Sequence, residues 1–264
     1  MSAQPTSYYR RTGEHTFVPT EHASGAWRDT EQHMAPASGI LVHELLRHEP
    51  RQDVRFCRFS FEILGTIHFD EFEVKVQTIR PGRTIELVQA DLIVQERTAI
   101  RLYAWRLVTA DSTPVAIIHD EPMTPRADCA TDDELHEWAG GYIASLTGLQ
   151  DPAHQRRPGR NALWITNELD MVEGEPTHPM TKLLGMTDTA NGVAPAMDPN
   201  ASGYIFPNID LQVHLYREPV GSWLGLDTTV NVGPDGIGLT SAVLNDEDGV
   251  FGRTEQILTI RKVR

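Results

Sequence analysis

From Thr30 to Arg47 the chain reads TEQHMAPASGILVHELLR, and Ile40, Leu41, Leu45 and Leu46 recur at helical spacing on one apolar face. His48, Glu49 and Pro50 stop the pattern. Pro36 suits a first helical turn, because its missing N–H would have no partner there, and the spacing predicts a helix over 36–47. Ala37, Ser38 and Gly39 are too small to cover the N–H groups of that turn, so the helix is expected to present an open, electropositive end.

Beyond the helix the period changes to two. In FSFEIL (59–64) and EFEVKVQTIR (71–80) apolar and polar residues alternate, which predicts strands with one buried face. Arg80-Pro81-Gly82 is a turn, and TIELVQADLIVQ (84–95) and AIRLYAWRLV (99–108) continue the strands, with TPVAII (113–118) as a further candidate. TDDELHEWAGGYIASL (131–146) reads as a separate short helix, Thr131 and Glu134 forming a capping box, and QDPAHQRRPGR (150–160) as a polar linker. The second half repeats the plan: a strand at 162–166, a helix over 179–192, and strands in IDLQVHLYR (209–217), SWLGLDTTVNV (222–232), GIGLTSAVL (236–244) and QILTI (256–260).

Landmarks in the halves share an offset, since Arg80 and Arg217 are 217 − 80 = 137 apart and Asp111 and Asp248 are 248 − 111 = 137 apart. With the matching order of elements, this predicts a duplication. Each half is then one helix wrapped by an antiparallel sheet, because only that packing buries both apolar faces. The expected class is α+β, a hot-dog arrangement doubled in one chain: one unit over 1–124, a connection over 125–160, and a second unit over 161–264.

A chain of 264 residues with 40% hydrophobic residues supports a large core. The start, MSAQPTSYYRR, has no apolar leader and no apolar run reaches spanning length, so no membrane insertion is expected. Cys57 and Cys129 have no metal-site spacing and read as ordinary thiols of a cytoplasmic protein. The formal charge of −14 without a long basic run argues against nucleic acid as partner. It leaves room for a local anion site, and arginines 51, 55 and 58, and 80 and 83, fall close together. The histidines, among them His33, His43, His178 and His214, have no H-E-x-x-H spacing, so neither a metal nor another cofactor is implied. No G-x-S-x-G elbow is present.

The chain resembles the type II (TesB-type) acyl-CoA thioesterases, a double hot-dog group, along nearly its whole length. The marks are FVPT (17–20), Trp27 and Gln32-His33 before Pro36, then IDLQVHLYREPVGSWLGL, Gly236-Ile237-Gly238, Ser241, Leu244, Asp248-Gly249 and Gln256. The resemblance implies an acyl-CoA partner and a water-mediated thioester hydrolysis with no cofactor. It implies that the start of the central helix stabilises the oxyanion, with Ala37 and Ser38 as N–H donors and His33 beside the substrate. Relatives carry two glycines before the proline, where this chain has Met34 and Ala35. An aspartate, a threonine and a glutamine hold the water in that family. Asp210 and Gln256 match two of these, and Asn231 stands where the threonine falls, with Thr228 and Thr229 nearby. Asp188 matches a family aspartate read as structural. Two alternatives stay open: a non-catalytic acyl-CoA-binding protein, and an enoyl-CoA hydratase, whose aspartate, asparagine-proline and histidine stretch is absent. Unpaired outer strands leave association of copies into a homo-oligomer open.

Overall fold

The computed structural model describes residues 5–263 apart from Trp27, Asp29 and Gln155, so Trp27, one of the marks above, lies outside the described residues. The first half comprises β1 (Ser7–Arg11), β2 (Thr16–Pro19), α1 (Met34–Arg47), β3 (Val54–Ile63), β4 (Phe72–Arg80), β5 (Ile85–Val94) and β6 (Arg97–Val108). The connection holds β7 (Ala130–Asp132), α2 (Gly141–Ala144) and β8 (Thr147–Gln150). The second half opens with β9 (Arg160–Thr166), β10 (Asp170–Val172), α3 (Pro179–Leu184), α4 (Ala190–Val193) and α5 (Pro199–Ser202). It continues with β11 (Tyr204–Ile205), β12 (Asp210–Leu215), β13 (Leu224–Val232), β14 (Ile237–Asp246), β15 (Gly249–Thr259) and β16 (Arg261–Lys262).

Fourteen strands form one sheet in the order β10-β1-β2-β4-β5-β6-β3-β12-β15-β14-β13-β9-β8-β7, and β11 pairs with β16 apart from it. The halves join edge to edge through β3 and β12, antiparallel, with Ser60 opposite Gln212. β10 crosses back to pair in parallel with β1. This is the expected double hot-dog, two helix-wrapped antiparallel sheets fused into one.

The duplication is real, but its register differs from the 137-residue landmarks. β5–β6 carries a bulge between Leu92 and Ile93 and β14–β15 carries one between Leu244 and Asn245, which sets the offset at 244 − 92 = 152. The same offset maps Val74 opposite Leu92 onto Leu226 opposite Leu244, and Ser60 opposite Tyr103 onto Gln212 opposite Glu255. Arg80 ends β4 whereas Arg217 follows β12, the counterpart of β3, so the two arginines are not equivalent. Arg217 instead grips the buried carboxylate of Asp246 with both terminal nitrogens and donates to the Gly249 carbonyl at 2.7 Å. A bidentate charge-assisted pair of this kind fixes the β14–β15 turn.

Helix α1 starts at Met34, two residues before Pro36, because His33 caps it: the His33 Nδ1 accepts the Ala35 N–H at 3.0 Å. It is buried on all sides from Met34 to Leu45, held between the β4–β5 face and α3. The crossing with α3 is close. A Cβ on Gly39 would lie 3.1 Å from Gly185 Cα and 2.2 Å from Met171 Cε. Backbone touches backbone there, which only glycines permit.

Three expected elements differ. Residues 113–118 form a 3₁₀ turn followed by exposed chain with no strand partner, the turn being set by Asp111, whose carboxylate accepts the Thr113 N–H at 3.0 Å. In 131–146 Thr131 pairs with Leu149 in β7 instead of capping a helix. Asp132 does the capping, accepting the Leu135 N–H at 2.9 Å, and only two short turns of helix form. Gly140, at φ 103°, breaks the run, and both it and Gly141 press against the backbone of residues 21–25 where a Cβ would collide. The helix over 179–192 ends at Gly185, tightens into a 3₁₀ turn at Thr187–Thr189 and resumes as α4. That interruption makes the site.

Candidate active site

Asp188 sits in the tight turn after α3, where the broken helix turns its carboxyl inward between the two halves. The residue is only 7% exposed. One carboxyl oxygen, Oδ1, accepts the Gln256 Nε2–H at 2.8 Å and the Asn208 Nδ2–H at 2.9 Å. The other, Oδ2, lies 3.5 Å from His33 Nδ1 of the first half. Burial pushes the Asp188 pKa up to about 6 against the two hydrogen bonds, which pull it down. A buried carboxyl titrating near neutrality in a recess marks a functional site.

Gln256 reaches Asp188 because β15 alternates: Thr254, Gln256 and Leu258 point inward while Arg253, Glu255 and Ile257 point out. Its strand neighbour Thr240 faces it directly, and Thr228 lies on the same inner face of β13. Gln256 Oε1, Thr240 Oγ1 and Thr228 Oγ1 are all buried without a hydrogen-bond partner among the described residues. Unpaired buried oxygens are costly, and those of Gln256 and Thr240 lie on residues paired across β14 and β15, while Thr228, which pairs with Ala242, lies two residues along β13 from the position opposite Thr240. At the 152-residue offset the first half carries Ala104, Val88 and Val76. Only the second half has this polar stripe.

His33 contributes from the other half. Its ring lies 4.4 Å from the Tyr142 ring, and the Tyr142 hydroxyl meets Thr189 Oγ1 at 2.6 Å. Burial lowers the His33 pKa to about 3, so the imidazole is neutral, and because Nδ1 accepts the Ala35 N–H its proton resides on Nε2. The recess between these groups has a volume of about 50 Å³ and is lined by His33, Trp138, Asp188, Phe206 and Asn208 among others.

The sequence-derived residues are only partly brought together. Gln256 and His33 converge on Asp188. Asp210 does not: at the start of β12 it points to the outer face, where its Oδ1 accepts the Ile257 N–H at 2.7 Å, on the opposite side of the sheet from Gln256. Asn231 is exposed near the end of β13, whereas Thr228 is buried on the inner face with no register shift. Ala37 gives its N–H to the His33 carbonyl at 3.3 Å, and the Ser38 hydroxyl donates to the Ala35 carbonyl at 2.8 Å beside the Leu184 carbonyl of α3. Both are fully buried at the helix crossing and line no part of the recess. Of the clustered arginines, Arg51 is tied to Asp53 and Arg80 to the Ile85 carbonyl, and none lines the recess. Asn208 and Tyr142, which also belong to this cluster, have no sequence motif to announce them. Among the described residues no group of three His, Cys, Asp or Glu is placed to hold a metal, and no helix is long and apolar enough to cross a membrane.

No curated protein matches the chain by sequence. Solved structures share its fold at low identity. They include a hot-dog protein from Alicyclobacillus acidocaldarius (10% identity, 98% of this chain and 97% of that one, TM-score 0.73). The tesB protein of Mycobacterium avium subs paratuberculosis (13%, 97% and 96%, 0.67) and an acyl-CoA thioesterase II from Mycobacterium marinum (13%, 96% and 96%, 0.67) are also similar. Family models match by sequence, the acyl-CoA thioesterase N-terminal domain over residues 23–107 and its C-terminal domain over 126–260. With both domains present in order on the duplicated sheet, the chain belongs to the acyl-CoA thioesterase family of thioester hydrolases.

Proposed function

We propose that this chain hydrolyses acyl-CoA with a water activated by Asp188. The reading rests on one observation: a buried carboxyl with its pKa near 6, held by Gln256 and Asn208 at the wall of a recess shared by both halves. At neutral pH such a group is ionised yet basic enough to take a proton. As the water oxygen attacks the thioester carbon, its proton passes to Asp188 and the carbonyl electrons move onto oxygen. The tetrahedral intermediate re-forms its C=O, the C–S bond breaks, and the departing thiolate takes the proton back from Asp188. The products are free acid and CoA.

Gln256 Oε1, with Thr240 or Thr228, accepts a hydrogen bond from the water and so aims its lone pair. The Nε2–H of the neutral His33 ring is the donor we assign to the oxyanion, in place of the Ala37 N–H, which the His33 carbonyl accepts, and of Ser38, which lines no part of the recess. A neutral imidazole suits this role, since it polarises the carbonyl without surrendering its proton. The free thiols of Cys57 and Cys129 support a cytoplasmic setting.

The test is thiol release from acyl-CoAs of graded chain length. The wild type should turn over at least one, and Asp188→Asn should fall by roughly 10²–10⁴-fold with little change in substrate affinity. Undiminished turnover in a folded Asp188→Asn variant would overturn the assignment.

A further inference from the structure

The recess at Asp188 has a neighbouring groove that shares part of its wall. Leu135, Trp138 and Gly192 line both the recess and this groove of about 310 Å³, whose other walls include Val193, Pro195, Arg156 and Arg157. Those two arginines also line a further hollow of about 430 Å³, whose remaining walls are Ala153, His154 and Arg160. Of its five described lining residues four are basic and none is acidic, in a chain of net charge −14. The loop expected to be a mere linker thus carries a local cation cluster, which shares Arg156 and Arg157 with the groove beside the recess.

The cations are not equally available. Arg156 is spent on Asp132 and Glu134, and Arg160 on Asp227 and the Thr228 carbonyl. His154 lies 3.6 Å from the buried Asp151. Arg157 is exposed and makes no ion pair among the described residues. Glu134 and Glu137 line the intermediate groove, which repels an anion there and leaves the far hollow as the place where one is held. A guanidinium with free donors is matched to phosphate oxygens.

We propose that this hollow binds the phosphates of coenzyme A, with Arg157 as the principal contact and the pantetheine arm lying in the groove past Trp138 and Gly192. The assignment rests on the acyl-CoA hydrolysis proposed above, but its test need not. Free coenzyme A and free pantetheine are titrated against the full chain, and kinetics are compared for an acyl-CoA and the matching acyl-pantetheine, which has no phosphate. Arg157→Glu, at an exposed position that leaves the core alone, should weaken coenzyme A binding and raise KM for acyl-CoA by about tenfold or more, with kcat held within twofold. Arg157→Lys should recover part of the loss. Pantetheine binding and acyl-pantetheine turnover should not change, and added salt should weaken coenzyme A binding less in Arg157→Glu than in the wild type. Unaltered coenzyme A affinity in Arg157→Glu, or an equal loss for pantetheine, would overturn the phosphate site. A wild type that binds coenzyme A through Arg157 yet releases no thiol would instead remove the hydrolytic reading and leave this one standing.

Discussion

Gln256 donates its side-chain N–H to the Asp188 carboxyl at 2.8 Å, tying the last long strand of the second half to the turn that interrupts its helix. This bond favours the ionised carboxylate and so pulls the Asp188 pKa down against burial. Gln256→Leu removes the donor while keeping the volume. The acid limb of kcat/KM, expected near pH 6 in the wild type, should therefore move to higher pH, and the plateau should fall because the water loses its Oε1 acceptor. A pH profile with an unmoved limb would separate Gln256 from the base.

Two aspartates can be set against each other. Asp188→Asn removes the proposed base. Asp210→Asn changes a carboxylate on the outer face whose bond to the Ile257 N–H an amide oxygen can also accept. The first should lose roughly 10²–10⁴ in kcat and the second should stay within a few-fold of wild type. Thiol-release assays on both variants decide it, and the reverse ranking would return the chemistry to Asp210.

Stability should move the other way at Asp188. Its folded pKa is raised from 3.8 to about 6, so its contribution is fully present below about pH 4 and is lost as pH rises through 6. Asparagine cannot ionise and escapes that loss. Asp188→Asn should match wild type near pH 4 and exceed it at pH 8 by on the order of 1–3 kcal/mol, read from denaturant midpoints. A gap that does not depend on pH would mean the carboxyl is not strained by burial.

Alternation made most of the sheet legible, because a half-buried strand must place every second residue inward. It also exposed the duplication, although not its register, which two backbone bulges set and no side-chain landmark reports. The site was harder to read. Asp210 stands in a conspicuous motif, yet the pleat turns it outward, and its parity relative to Gln256 depends on which residues pair across β12 and β15. Asp188 reads as structural in sequence, where it matches a family aspartate and stands within a stretch expected to be one helix. The break after Gly185 that turns it inward comes from a crossing with α1, a contact between residues 146 positions apart (185 − 39). Asn208 and Tyr142 carry no local signal, since their roles exist only once the halves meet.

That crossing is itself testable. A Cβ on Gly185 would lie 3.2 Å from Gly39 Cα and 2.9 Å from the Thr181 carbonyl oxygen, both backbone atoms that cannot swing aside. Gly185→Ala should cost about 1–3 kcal/mol through overpacking and, by displacing the following turn, should lower kcat more than it alters KM. Calorimetry and steady-state kinetics on one variant read both effects. Wild-type values would show that the turn is positioned by other contacts.

A second clamp between the halves is ionic. Glu175, in the loop between β10 and α3, receives Arg11 of β1 at 2.5 Å and His43 of α1 at 2.9 Å, while Arg11 also reaches Glu44 at 2.7 Å. The Arg11 bond, more than His43, holds the Glu175 pKa down from 4.5 to about 2. Since that pKa is depressed, the contribution is present above about pH 4.5 and disappears as pH falls toward 2. Solvent reaches part of the cluster and screens it, so Glu175→Gln should cost only about 1 kcal/mol at pH 7. The difference between wild type and variant should shrink across pH 4.5 to 2, where protonation makes the glutamate resemble the glutamine. Paired urea melts at several pH values measure it. A constant difference down to pH 2 would show that Glu175 acts through packing and not through its charge.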